Sequence, residues 1–374
     1  MARPGRGSRG KGSGLRRPDP RRPMRSLSHL AVPFLLLAFS AYELREKGES
    51  GMLGILLAAA GLLGFFTTVS VFLRWRKAAL AQEVGARTET WWWMAAVFML
   101  AFSTHRIVSF LFLGFLCFSA LREYFSLLPM RDDSAGQILS FRDRPSILLA
   151  YCMVPLSICV AYIRWYELFI ILVPVYFFLL IPILFVIQDR TEGALKSMGA
   201  ISLGTLFFAF CLGHALFMIN VGPMLLFFCF FLTESRDVIA FWVGKALGAL
   251  SSALPEGGAR RLLDLPIAPT VNPRKTWAGG LLSALAVAGL SVALQPLLPP
   301  FGGEGATREF AAAAGFAIGF FGLFGDLVFG MVKRDIGVKD TGSLLPGHGG
   351  VIDRVNGLVF TVPLTFHLFY WRFF

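Results

Sequence analysis

Residues 325–356 read GDLVFGMVKRDIGVKDTGSLLPGHGGVIDRVN, a polar island between two apolar runs. Acids and bases recur through it at short intervals: Asp326, Lys333, Arg334, Asp335, Lys339, Asp340, His348, Asp353 and Arg354. Ionisable groups at a membrane boundary are costly to place, so they mark function by default. Asp326 sits late in one apolar run and Asp353 lies just before the next, so both emerge near one face and can converge. Two carboxylates with room for water and phosphate oxygens suit Mg²⁺, a hard cation that prefers oxygen ligands. Lys333, Arg334, Lys339 and Arg354 can neutralise phosphate charge, arginine through paired hydrogen bonds. The run Gly347-His348-Gly349-Gly350 lets the backbone approach a ligand closely and turn N–H groups toward an anion. His348 can position a phosphate or hydrogen-bond within the turn. The bland reading of the same charges is a solvated loop that orients the last helix.

A second polar stretch begins at Glu234-Ser235-Arg236-Asp237 and runs through Trp242-Val243-Gly244-Lys245 to Asn272-Pro273-Arg274-Lys275-Thr276-Trp277. Asp237 is again a carboxylate within an apolar segment. Lys245 follows about two helical turns later, on a similar face. Asn272 to Thr276 reads as a short turn carrying two cations, with Thr276 as the N-cap of the next helix. A helix N-terminus receives phosphate readily. The bland alternative is an ordinary cap beside cations that obey the positive-inside rule.

The elements that must position these residues are apolar helices. Of 374 residues 56% are hydrophobic, and the mean hydropathy is +0.66, which excludes an ordinary soluble domain. Long apolar runs without strand-like alternation indicate helices and not a barrel. The candidate spans are 29–44, 51–73, 91–104, 107–121, 146–163, 166–187, 197–219, 222–242, 277–299, 309–332 and 355–373. A single helix over 91–121 would be about 45 Å long, against a hydrocarbon core of ~30 Å. The break at Thr104-His105-Arg106 therefore predicts two short helices and a tight turn. With two helices there, the loops Arg74–Lys77, Arg122–Arg144, Lys245–Lys275 and Lys333–Arg354 all fall on the cytoplasmic side, as the basic N-terminus does. The expected fold is all-α, a polytopic integral membrane protein of about 9–11 transmembrane helices. Its expected parts are a disordered basic cytoplasmic tail (1–28), N-terminal membrane helices (29–230) and a C-terminal catalytic region with two cytoplasmic polar loops (231–374).

Residues 1–30 hold nine Lys/Arg against Asp19 alone, part of a net charge of +12. The tail reads as an orientation signal and a contact for anionic headgroups, not a nucleic-acid arm. No small-residue cleavage site follows a short apolar core, so it does not read as a signal peptide. The five cysteines all lie in apolar runs and form no CxxC, which predicts buried hydrophobes without disulfides or zinc,. Trp91, Trp92 and Trp93 fit an interfacial aromatic belt.

The stretch Lys333-Arg334-x₄-Lys339-Asp340-x-Gly342-x₂-Leu345-Pro346-Gly347-His348-Gly349-Gly350-x₂-Asp353-Arg354 closely resembles the signature of the phosphatidate cytidylyltransferase (CDP-diacylglycerol synthase) family. Asp237…Gly244-Lys245 and Asn272-Pro273-x-Lys275-Thr276-Trp277 look like that family's second motif. Ala120-Leu121-Arg122-Glu123-Tyr124 is similar to a bacterial branch of it. The resemblance covers the chain from about 230 onward, and the N-terminal half matches in character only. It implies condensation of CTP with phosphatidate to CDP-diacylglycerol and pyrophosphate, with Mg²⁺ as cofactor. It makes Asp326, Asp353, Lys333, Arg334 and His348 the catalytic candidates, with Asp326 and Asp353 as metal ligands. Asp237, Lys245, Asn272, Lys275, Thr276, Lys339, Asp340, Gly349, Gly350 and Arg354 are the substrate-binding candidates. Expected partners are CTP, phosphatidate, membrane lipid and a second copy in a homodimer, with no nucleic acid. The expected location is the inner (cytoplasmic) membrane with the site facing the cytoplasm. Three positions depart from the family pattern: Asn356 and Ala278 stand where acids are usual, and Gly330 where a hydroxyl is common. They support an alternative, a family member with weakened or lost catalysis acting as a membrane partner protein. A transporter using Asp237 and Asp326 for ion coupling would show charges at segment centres and an internal repeat. Here the charges sit at segment ends and no repeat is evident.

Overall fold

A computed structural model describes residues 27–76, 81–128, 139, 141–301, 303–338, 341–342 and 349–374. Lys339, Asp340 and His348 lie outside the described residues, as does most of the basic tail. The chain is built from helices α1 (Ala31–Glu46), α2 (Ser50–Trp75), α3 (Ala81–Ser103), α4 (Arg106–Leu127), α5 (Arg144–Tyr162), α6 (Tyr166–Ile187), α7 (Ala194–Val221), α8 (Pro223–Ala253), α9 (Gly258–Leu263), α10 (Trp277–Leu294), α11 (Arg308–Ile336) and α12 (Ile352–Phe373). All but α9 correspond one to one with the apolar spans read from the sequence. Seven of them, α2, α4, α5, α6, α7, α10 and α11, are long and apolar enough to cross a membrane. Large apolar side chains such as Leu111, Phe115, Phe178 and Leu285 point outward. That is the reverse of a water-facing surface, and the protein is a multi-pass membrane protein.

The turn expected at 104–106 is present. Ser103 ends α3, and His105 caps α4 by accepting from the Ile107 amide at 3.3 Å. Lys47 crosses from the end of α1 to donate to the Ser103 and Thr104 carbonyls, which closes the exposed end of α3. Two local expectations are corrected. Trp92 is buried and donates to Thr67 on α2 at 2.9 Å, because helix periodicity turns it inward while Trp91 and Trp93 remain exposed,. Cys152 and Cys159 are exposed, on an outward α5 face where lipid makes an apolar side chain inexpensive. All five cysteines are free.

The one described sheet is a two-stranded hairpin between α9 and α10, β1 (Pro266–Ala268) antiparallel to β2 (Asn272–Thr276). The sequence reading had Asn272 to Thr276 as a plain turn. Extended pairing wins because Pro273 disfavours the helical region for Asn272 before it and has no N–H to continue a helix, while Asn272 Oδ1 accepts from the Arg274 amide at 3.2 Å. Val271 at the hairpin tip packs over Gly330 of α11, where a Cβ would lie 3.2 Å from Val271 Cγ1 and press on that side chain.

Helices α8, α10, α11 and α12 pack together, with α11 central against α10 and α12. The α11–α12 crossing is close at Gly325. A Cβ built there would lie 2.5 Å from the Asn356 carbonyl oxygen and 2.9 Å from Gly357 Cα. Small residues at such crossings let helix backbones approach where no hydrophobic effect drives them together. Gly325→Ala is expected to cost about 1–3 kcal/mol through overpacking. It should lower the unfolding midpoint of the detergent-solubilised protein, whereas Gly61→Ala, with open space around it inside α2, should hold that midpoint or raise it slightly, since alanine is the better helix former.

Candidate functional site

Two charged groups occupy the end of this four-helix unit where α11 and the hairpin meet the start of α12. The first is centred on Arg236 of α8. Its side chain is only 2% exposed, yet the surrounding residues are apolar or small. Gly322 and Gly357 leave the space it fills, beside a 2.9 Å hydrogen bond between Thr233 and Thr361. A buried guanidinium costs several kcal/mol unless it is paired and hydrogen-bonded. Arg236 meets Asp237 at Oδ1 and donates to Asp326 Oδ2 at 2.7 Å. Lys275, carried in by β2, donates to the same Asp326 oxygen at 2.7 Å. Asp237, Lys275 and Asp326, three residues singled out from the sequence, are thus brought together, joined through an arginine that was not. Glu234 one turn earlier and Arg354 from α12 stand within electrostatic reach of Asp237.

The second group is centred on Asp353 in the first turn of α12, outside the seven apolar spans. Lys333 donates to Oδ1 at 2.8 Å. Oδ2 accepts from the Thr341 amide at 3.1 Å, the Thr341 hydroxyl at 3.0 Å and the Gly350 amide at 3.3 Å. Burial works against the charged form of Asp353, but Lys333 and the two amides outweigh it and hold the acid below the ordinary carboxylate range,. A Cβ on Gly349 would sit 2.9 Å from Asp353 Oδ2, so this glycine belongs to the same turn. Lys333 follows Asp326 by about two turns of α11, on a similar face. Asp353 precedes the Gly325–Asn356 crossing by about one turn of α12. The two groups therefore flank one helix crossing.

Other candidates take local roles. Thr276 caps α10, accepting from the Gly279 amide at 3.1 Å, as the sequence predicts. Asn272 is occupied by the hairpin. Lys245 is exposed, its ammonium over the Phe241 and Trp242 rings at 5.9 and 5.6 Å. Arg334 is exposed near the end of α11. Asn356 Oδ1 accepts from its neighbour's amide, Gly357 N, at 2.7 Å.

Arg236, Thr341 and Glu123 are the residues that sequence reasoning missed. A signal existed for Arg236, a lone cation in the run LLFFCFFLTESRDVIAFW, since a charge in an apolar segment needs a partner. Glu123 lay in a quoted motif, but its contact is distant in sequence.

Carboxylates and cations are thus gathered at one end of the C-terminal helices of a multi-pass membrane protein. The family model for the cytidylyltransferase family matches residues 85–372. The chain belongs to the cytidylyltransferase family. It is 32% identical over 330 residues to "Uncharacterized protein YnbB" of Escherichia coli K12, covering 86% of this chain and 97% of that protein. It is similar to the phosphatidate cytidylyltransferase of Rickettsia bellii, 31% identical over 153 residues, 40% of this chain and 58% of that protein. It is also similar to the phosphatidate cytidylyltransferase of Brucella abortus, 34% identical over 139 residues, 37% of this chain and 44% of that protein. The matches to these two phosphatidate cytidylyltransferases thus span about half of their length.

Proposed function

We propose that the protein transfers the cytidylyl group of CTP to phosphatidate, giving CDP-diacylglycerol and pyrophosphate. The observation that carries this reading is the pair of charge groups flanking the α11–α12 crossing in a chain of the cytidylyltransferase family. A phosphate oxygen of the lipid attacks the α-phosphorus of CTP, the bond to the β-phosphate oxygen breaks, and pyrophosphate leaves with that electron pair. Such a displacement needs alignment and charge neutralisation more than covalent help from the protein. Lys275, Lys333 and Arg354 supply the positive charge, with Arg354 suited to paired contacts. The apolar helices keep the acyl chains in lipid while the headgroup meets the charges.

Mg²⁺ would add charge stabilisation at the phosphates. The donor chemistry fits, with one shift from the sequence reading, which paired Asp326 with Asp353. Both oxygens of Asp353 are engaged by protein donors. At Asp326 both donors fall on Oδ2, and at Asp237 the arginine meets Oδ1. Asp326 and Asp237 are thus the better pair, with Asp353 organising the loop. No group of three or more His, Cys, Asp or Glu ligands exists among the described residues, so the ion would keep waters and take phosphate oxygens, as Mg²⁺ commonly does. By the positive-inside count the site faces the cytoplasm, where CTP is found, in the inner membrane of a bacterium.

The test is pyrophosphate release by purified protein given CTP and phosphatidate. Wild type should turn over only with both substrates present. Asp353→Ala, which frees Lys333 and unties Thr341 and Gly350, should fall at least about a hundredfold, the scale of losing a preorganised charge contact. Equal background rates in the two proteins would end this reading.

A further inference from the structure

Glu123 of the Ala120–Tyr124 motif has no place in the charge groups described above, yet it reaches them. It lies near the end of α4, and its carboxylate spans to the start of α12, 228 residues further along the chain. Oε2 accepts from the Val351 amide at 2.8 Å, and Oε1 accepts from the Ile352 amide at 3.1 Å. A helix opens with four amides that have no carbonyl partner of their own. Here one carboxylate closes two amides at the start of α12, while Asp353 closes that of Gly350.

The fit around this carboxylate is close. A Cβ on Gly342 would lie 3.1 Å from Glu123 Oε2, and any side chain at Gly350 would collide with Glu123 and Thr341. The α4 end is itself fixed, because the adjacent Tyr124 is buried and its hydroxyl donates to the Ala200 carbonyl of α7 at 3.0 Å. Glu123 thus ties a firmly held helix end to the turn that carries Asp353. The glycine-rich run was read from sequence as offering its amides to a substrate anion. At Val351 and Ile352, just past that run, the amides are already taken by the protein's own acid.

We infer that Glu123 is a positioning residue. It pins the first turn of α12 to α4, and so sets where Asp353 meets Lys333 and Thr341. The α12 N-terminus is thereby committed to an internal anion, and phosphate charge must be met by side-chain cations instead. The functional consequence rests on the cytidylyltransfer reading, whereas the tethering does not.

Glu123→Gln keeps the size but removes the charge and one of the two acceptors. Amide hydrogen exchange of the full-length protein in detergent, followed by mass spectrometry, reads the tether directly. Exchange across 350–354 should rise by about tenfold or more, the scale of a lost hydrogen bond to a charged group, while the other helices keep their protection. In the pyrophosphate-release assay kcat should fall by a similar factor, about tenfold, with KM for CTP nearly unchanged. Glu123→Asp, too short to reach both amides, should lie between. Unchanged exchange and full kcat in Glu123→Gln would overturn the inference. So would a rise spread evenly over all helices in both variants, which marks a general packing role. If wild type releases no pyrophosphate, the cytidylyltransfer reading fails, and the exchange data still decide whether Glu123 tethers α12.

Discussion

Asp326→Ala is expected to abolish CTP-dependent pyrophosphate release and to lower the unfolding midpoint sharply. Asp326 is the shared acceptor of Arg236 and Lys275. Removing it leaves Arg236, 2% exposed, with Asp237 as its carboxylate contact. Breaking a buried pair from one side costs about 3–5 kcal/mol, and surface acids give no such loss. The comparison is Asp326→Asn, which keeps an acceptor oxygen but no charge. It should recover part of the stability and none of the activity, because a neutral amide neither balances Lys275 nor attracts a divalent cation. Thermal unfolding in detergent alongside the turnover assay separates the two effects. If Asp326→Ala unfolds at the wild-type midpoint and still turns over, the arrangement described here is wrong.

Arg236→Met should be comparably damaging for the opposite reason. It leaves two carboxylates without their guanidinium, the exposed Asp237 and the largely buried Asp326, with Lys275 as the nearest compensation at Asp326. A loss of about 3–5 kcal/mol is expected from this break as well. Arg236→Met combined with Asp237→Asn removes the repulsion between Asp237 and Asp326 and should restore part of the midpoint. Coupling between residues in contact is of the order of 0.5–3 kcal/mol. Strict additivity in that double mutant would show that Arg236 and Asp237 do not interact. Arg236→Lys tests the geometry, since one nitrogen, Nη2, meets both acids and a lysine ammonium can replace it only by reaching that same point without the guanidinium plane.

The helices were legible because membrane spans announce themselves by length and apolarity, and each long helix met an apolar run. The α3–α4 turn was legible for a geometric reason, since residues 91–121 are too long for one crossing. Thr276 was legible as a cap because capping is local. What could not be read was long-range and polar. Asp326 stood out by itself, but its partner Arg236 lies 90 residues away. The Glu123 contact spans 228 residues. Nothing in single-sequence periodicity pairs such positions. Spacing suggested that Asp326 and Asp353 would share a cation. Spacing cannot show that Thr341 and Gly350 have claimed one oxygen of Asp353 and Lys333 the other. The hairpin was missed because five residues with a proline and two cations carry no strand alternation, and its pairing is made with residues across a tight turn.

The tether from α4 to α12 also bears on how the molecule is made. Helices enter the bilayer in the order in which they are synthesised, and α12 follows every other helix named above. Until it arrives, Glu123 has no amides to close and Lys333 has no carboxylate. A chain stopped before residue 351 would hold Glu123 and Lys333 without these partners. Docking of α12 therefore settles both charges at once.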